Sequence, residues 1–267
     1  MLPAPRFHRL LAATLAALLL VGCASWRSKP QVQTLLPADV ILLGEQHDVP
    51  AHQRLQAEMV LQLVVHDRLA ALVLEMADAG LSTAALPPDA EEAQVRAALQ
   101  WNEQGWPWAA YGPAIMTAVR AGVPVLGGNL PRILFSASML DTALDRSLPP
   151  AAWAEQQQAI HDGHCGLLAT TQLPAMTRIQ VARDRSMAQT VQTVLRSPQV
   201  VLVLAGSRHV DRRLGVPQHL PAQLKVRSVR LQAGGKVEPS AAFDTVWVTA
   251  AGPDTDHCAA LRQRLGR

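Results

Sequence analysis

Charge and aromatics are both scarce: 17% of the 267 residues are charged and 4% aromatic, with one tyrosine and three phenylalanines. Cysteine is scarcer still. Cys23, Cys165 and Cys258 form no CxxC pair and no paired Cys/His spacing, which argues against a structural zinc site. Nor is there a cationic excess that would suit nucleic acid. The 24 Lys+Arg stand against 21 Asp+Glu, and the first 22 residues hold Arg6 and Arg9 with no acid, so the remainder is close to neutral. Phosphate neutralisation needs a clustered basic face, and composition offers none. What is abundant is apolar: at 49% hydrophobic the chain can bury a sizeable core in one large domain or two small ones, which excludes disorder and collagen-like architecture.

The N-terminus carries a compartment signal. Arg6, His8 and Arg9 precede the uncharged run LLAATLAALLLV at 10–21, too short for a permanent span and suited to a signal-peptide core. Leu20-Val21-Gly22-Cys23 resembles a bacterial lipobox, whose cysteine is lipidated after the preceding residues are cut away. Ala24 and Ser25, with no Asp after the cysteine, resemble an outer-membrane sorting signal. The expected organisation is a signal peptide at 1–22, a lipid-anchored tether at 23–38 and a domain at 39–267, placed in the outer membrane and facing the periplasm. With Cys23 lipidated, an exported compartment permits a disulfide between Cys165 and Cys258, although their spacing does not require one.

Strand-like and helical stretches alternate through the domain. Apolar runs at 39–43, 70–76, 123–126 and 200–205 read as buried strands, with 225–231 and 245–249 as further edge candidates. Between them, Leu55, Met59 and Leu63 recur at helical spacing, and 90–100, 113–121, 151–161 and 176–195 read as helices. Continuous apolar strands separated by helices predict an α/β domain with a largely parallel sheet covered on both faces. Such a sheet binds ligands at the C-terminal ends of its strands.

The polar residues fall at those ends. The 39–43 run leads into Gly44, Glu45 and His47; 70–76 into Glu75 and Asp78; 123–126 into Asn129 and Arg132; 200–205 into Arg208 and His209. If the strands are parallel, these side chains converge on one edge, and burying them together is costly unless they pair or bind something. Gly44 is expected to free the turn backbone, Asp48 to cap the helix starting near Pro50, and His52 and His66 to lie partly exposed on it.

The segments GEQHDVPAHQRLQ, LVLEM, WAAYGPA at 108–114, GGNLPR, HCGLL, RDxxMA at 183–188 and AGSRHV, taken in order, resemble the ChaN family. These are haem-binding lipoproteins of iron uptake, in a superfamily with Tiki-type proteases and erythromycin esterase-like enzymes. The likeness runs from about Asp39 to Leu231 and implies a haem-binding α/β domain, a homodimer and an outer-membrane haem receptor as partner. Two residues can supply the axial ligand. Tyr111 offers a hard oxygen donor with Trp106 and Trp108 as apolar walls, or else is a core tyrosine that anchors its helix; His164 follows His161 by one helical turn. Arg132, Arg183, Arg208 and His209 are the pool for the propionates. No CxxCH occurs, so a covalently attached c-type haem is excluded.

A second reading makes the chain a hydrolase of the same superfamily, in which His47 and His209, with Glu45 or Glu75, hold a divalent metal or act as general base. In a third, the polar cluster is an internal network that only maintains the fold.

Overall fold

The computed structural model describes residues 30–237, 240–253 and 256–264. The expected signal peptide, the lipidation site Cys23 and most of the tether lie outside the described residues. Six strands form one all-parallel sheet in the order β3-β2-β4-β1-β5-β6. In chain order the elements are β1 (Val40–Glu45), α1 (Pro50–Val65), β2 (Leu69–Asp78), α2 (Glu92–Ala98), α3 (Trp108–Arg120), β3 (Val125–Asn129), α4 (Phe135–Leu140), α5 (Pro150–Gly163), α6 (Leu173–Thr193), β4 (Val200–Gly206), β5 (Val226–Ala233), β6 (Thr245–Thr249) and α7 (His257–Arg264).

The sheet follows from its strands' composition. β1 and β4 are buried at every residue, as expected where helices cover both faces. On one face Ile41, Leu43, Leu72, Leu74, Leu202 and Leu204 meet Met59 and Leu63 of α1 and Ile115 of α3. On the other, Val40, Leu42, Val73, Val201 and Val203 meet Met187, Ala188 and Val191 of α6. The two further strands expected at the C-terminus are present as β5 and β6, but β5 lies between β1 and β6, so of the two β6 forms the edge.

Several expectations need correction. The stretch expected to be tether is already folded near its end: Val32 and Leu35, in a short 3-10 turn, are 1% and 3% exposed and belong to the core. α3 starts at Trp108, ahead of the expected Pro113. Asp48 does not cap α1. Val49 is the N-cap and Pro50, with its fixed φ, opens the helix. His52 is fully buried rather than partly exposed, its Nδ1 accepting the Gln46 N–H at 3.0 Å. Gly44 lies within β1, not in a turn, and its requirement is space: a Cβ there would strike the Val210 side chain and come within 2.9 Å of Ser207 Cα. Cys165 and Cys258 are joined by a disulfide, with Cα atoms 5.6 Å apart, so α7 is tied covalently to the chain just beyond α5.

Candidate functional site

Parallel register brings the C-terminal ends of the central strands level. Glu45 of β1 lies opposite Gly206 of β4, and Leu74 of β2 opposite Leu204. Glu45 and Glu75 therefore reach the same edge, each next to the end of β4. Both are almost fully buried. Glu45 Oε1 accepts hydrogen bonds from Tyr111 Oη (2.6 Å) and His47 Nδ1 (2.7 Å), and its Oε2 accepts one from Gln53 Nε2 (2.7 Å). Glu75 Oε1 accepts from Arg183 Nη2 (2.7 Å) and faces His209 Nε2 at 3.3 Å, while Oε2 accepts the Gly206 N–H (2.6 Å). His209 Nδ1 donates to Asp184 Oδ1 (2.5 Å). His47 lies between the halves, with Nε2 4.0 Å from Glu75 Oε2. Gly206 permits this approach, because a Cβ there would stand 2.9 Å from His47 Nε2.

Three of the four strand-end groups singled out from sequence for the hydrolase reading, Glu45, Glu75 and His209, are thus buried in one network, and His47 sits on its open side. Arg183 joins through Glu75 and donates Nε to Asn129 (2.8 Å). The network opens into a cleft of about 730 Å³, whose rim carries Arg208, Asp162, Cys165, His257 and Cys258. Beside it, between α1 and α3, runs an apolar slot of about 550 Å³ that shares His47 and Asp48 with the cleft.

Electrostatics follow from burial against pairing. Burial alone would push the His209 pKa down, but the carboxylates of Glu75 and Asp184 outweigh it and raise it to about 9. Burial would raise Glu75, yet His209, Arg183 and His47 hold it well below the usual carboxylate range. His47 is raised: burial pulls it down, but its hydrogen bond to Glu45 and the charge of Glu75 prevail. Asp184 is raised, burial dominating over the His209 charge. The sign of the pH dependence is then fixed. A histidine whose folded pKa exceeds its ordinary 6.5 contributes stability that is complete below pH 6.5 and lost as pH rises through about 9. Glu75, depressed, contributes above its ordinary 4.5 and loses that contribution in acid. Urea unfolding is expected to show greatest stability near pH 5–6.5 and a loss on the order of 3 kcal/mol by pH 10. His209→Gln should flatten the alkaline limb; a variant limb as steep as the parent's would remove His209 as its cause.

The residues expected around a haem are scattered more widely. Tyr111 is 2% exposed, and its hydroxyl donates to Glu45. Burial, then the Glu45 charge and hydrogen bond, push its pKa far up. Trp108 is a core residue whose Nε1 donates to Glu92 (3.0 Å), so it walls no ligand space, and Trp106 packs edge-on against His47 at 4.9 Å. His164 lies half-buried at the end of α5, between Gly163 and Cys165, both of which line the cleft. Its Nδ1 donates to the Ile160 carbonyl at 2.8 Å, which leaves Nε2 as the lone-pair nitrogen. Arg208 is exposed on the cleft, whereas Arg132 sits on an exposed 3-10 turn and does not line it. Asp184, Gln53 and the C-terminal residues His257 and Cys258 were not singled out as site residues. The second reading expected a metal held by His47 and His209; among the described residues no three His, Cys, Asp or Glu side chains are arranged to hold one.

An all-parallel sheet with a buried acid–histidine network at its C-terminal edge defines a class of α/β ligand-binding domain. The sequence matches the family model described as haem-binding uptake, Tiki superfamily, ChaN over residues 31–220. Among solved structures, ChaN of Campylobacter jejuni, described for its cofacial haem binding, superposes with a TM-score of 0.64 at 24% identity, covering 78% of this chain and 86% of that one. The type III effector HopBA1 gives 0.49 at 16% identity (85% and 95% covered), and a mutant erythromycin esterase in its open conformation 0.46 at 17% (76% and 72%). No curated protein sequence matches. The chain belongs to the ChaN family of the Tiki superfamily.

Proposed function

We propose that this chain is a haem-binding lipoprotein of iron uptake, anchored through Cys23 to the outer membrane and facing the periplasm. The observation that carries the haem reading is the ChaN family match over residues 31–220, together with an open cleft at the strand ends that is lined by Gly163 and Cys165, the neighbours of His164. His164 Nδ1 is held by the Ile160 carbonyl at 2.8 Å, which leaves Nε2 as the ring nitrogen that would hold a metal. Bound haem would supply the iron that such a nitrogen holds. Tyr111 does not fit that role, since a tyrosinate would have to form beside the Glu45 carboxylate. Arg208, with no carboxylate partner among the described residues, would take a propionate on the cleft, while Arg183 is already engaged by Glu75 and Asn129. Support for export comes from the lipobox at 20–23 and from the disulfide, a bond that persists in oxidising compartments. The exposed Ile133 and Leu140, at 88% and 80%, offer an apolar face to a second copy.

Hemin added to the purified chain is expected to give a saturable Soret band. His164→Ala should weaken binding about 100-fold, near 2.7 kcal/mol, and Tyr111→Phe should leave it within a few-fold. No saturable band in the parent, or loss with Tyr111→Phe but not His164→Ala, contradicts the assignment. Membrane fractionation of Cys23→Ser tests the anchor: the variant is expected in the soluble periplasmic fraction, and its retention in the membrane would remove Cys23 from the account.

A further inference from the structure

The chain enters the domain at the sheet edge opposite the cleft. The six strands are parallel, so all of them start at one edge and end at the other, and α1 finishes at Val65 just before β2 starts at Leu69. The 3-10 turn at Val32–Leu35 is pinned there by two bonds: the Val32 N–H donates to Gln62 Oε1 of α1 at 2.9 Å, and Arg227 Nε of β5 donates to the Leu35 carbonyl at 3.3 Å. From Cys23 to Gln31 the chain advances eight residues, a reach of at most about 29 Å. A compact domain of this length has a radius of gyration of about 17–18 Å and is about 45 Å across. A lipid on Cys23 therefore keeps the starting edge next to the bilayer.

That edge carries apolar and cationic side chains together. Leu61 and Val65, one helical turn apart on α1, are 51% and 70% exposed. Scattered exposed apolar residues are ordinary; these two stand beside Gln62, which holds the entering chain. The connections into β2, β4 and β5 add Arg68, Arg196 and Lys225. They are tied to their neighbours across the edge, because the Val200 N–H donates to the Arg68 carbonyl (2.7 Å) and the Asp39 N–H to the Lys225 carbonyl (2.9 Å). The carboxylates of Asp39 and Asp67 on the same connections are engaged: Asp39 Oδ2 accepts the Lys225 N–H (2.7 Å), and Asp67 Oδ1 accepts from Gln199 Nε2 (3.2 Å). Apolar side chains that enter the headgroup boundary, flanked by cations that anionic headgroups attract, are what a lipid-facing surface requires.

We infer that Leu61, Val65, Arg68, Arg196 and Lys225 form a membrane-facing surface that rests on anionic lipid headgroups, so that the cleft opens away from the bilayer. The inference rests on the lipid anchor proposed at Cys23, which supplies proximity; this face supplies orientation.

The test uses the full lipidated chain in vesicles of phosphatidylethanolamine and phosphatidylglycerol. A nitroxide label is attached through Val65→Cys or, on the cleft edge, through Ile133→Cys, with Cys165 and Cys258 left paired. On the vesicles the label at 65 is expected to lose access to a water-soluble nickel complex about fivefold or more, while the label at 133 keeps it. Phosphatidylcholine vesicles, or the variant Arg68→Gln/Arg196→Gln/Lys225→Gln, whose changes lie outside the core, should restore access at 65 by about threefold. Access at 65 that is the same on vesicles as in solution, shielding at 133 instead, or shielding at 65 indifferent to both lipid charge and the triple variant overturns the proposal. A label at 65 already shielded in solution means that a second copy covers the face, and overturns it too. The mass of the chain reads the anchor separately. If Cys23 is unmodified, the anchor reading falls, and the face is judged by the same labels on that chain with excess vesicles: shielding at 65 keeps it and none overturns it.

Discussion

Glu75→Ala is expected to destabilise the fold by about 3–5 kcal/mol, the cost of breaking a buried charge network by removing one partner. Glu75 faces Arg183, His209 and the Gly206 N–H at once. Its loss leaves the guanidinium and a buried imidazole with Asp184 as their main remaining acid, and leaves one backbone donor unpaired. Replacing His209 as well should recover part of the loss, because the pair is then removed together; the coupling is read from urea unfolding of both single variants and the double. A destabilisation under about 1 kcal/mol for Glu75→Ala would mean that the network is open to water and contributes little to the fold.

Why this network was partly legible from sequence, and partly not, comes down to where each residue sits. Glu45, Glu75 and His209 stand at the ends of apolar strands, and parallel strands of similar length bring their ends level, so convergence followed from periodicity alone. Asp184 gave no such signal. It stands in α6 between Arg183 and Arg185, where a carboxylate reads as part of a solvated helix face, and only the packing of α6 on the sheet turns it inward at 1% exposure. His52 is the same case on α1: its helical position suggested the surface, and the Gln46 N–H holds it inside. Trp106 and Trp108 looked like apolar walls for a ligand on Tyr111 because aromatics cluster there, but the helix begins at Trp108, which turns Trp108 into the core and leaves Tyr111 buried against the slot. The C-terminal part of the site depends on chain pairing across 93 residues, which no local pattern encodes.

That disulfide carries the second large expectation. The Cys165–Cys258 bond closes a loop of 93 residues, for which chain-entropy reasoning gives about 4–5 kcal/mol and measured bridges more often about 2–4 kcal/mol. Reduction should therefore lower the melting temperature by roughly 5–15 °C in a domain of this size. The effect has a local side, because Cys165, His257 and Cys258 all line the cleft and His257 Nε2 sits 3.1 Å from Asp48 Oδ2. Releasing α7 removes that side of the rim, so hemin affinity is expected to fall along with stability. Thermal unfolding with and without a dithiol checks this, with the Cys165→Ala/Cys258→Ala double variant as the control that should not respond to the reductant. Equal melting temperatures for oxidised and reduced parent would show that the bridge constrains nothing that matters to the fold.

Network, slot and bridge serve the proposed reading, in which the strand ends and the end of α5 frame a haem cleft and His164 would hold the iron. Locating the iron tests that claim most directly, by an anomalous difference map from crystals grown with hemin. The account predicts a peak in the cleft at bonding distance from His164 Nε2; a peak beside Tyr111, or on a surface remote from Glu75 and His209, would contradict it.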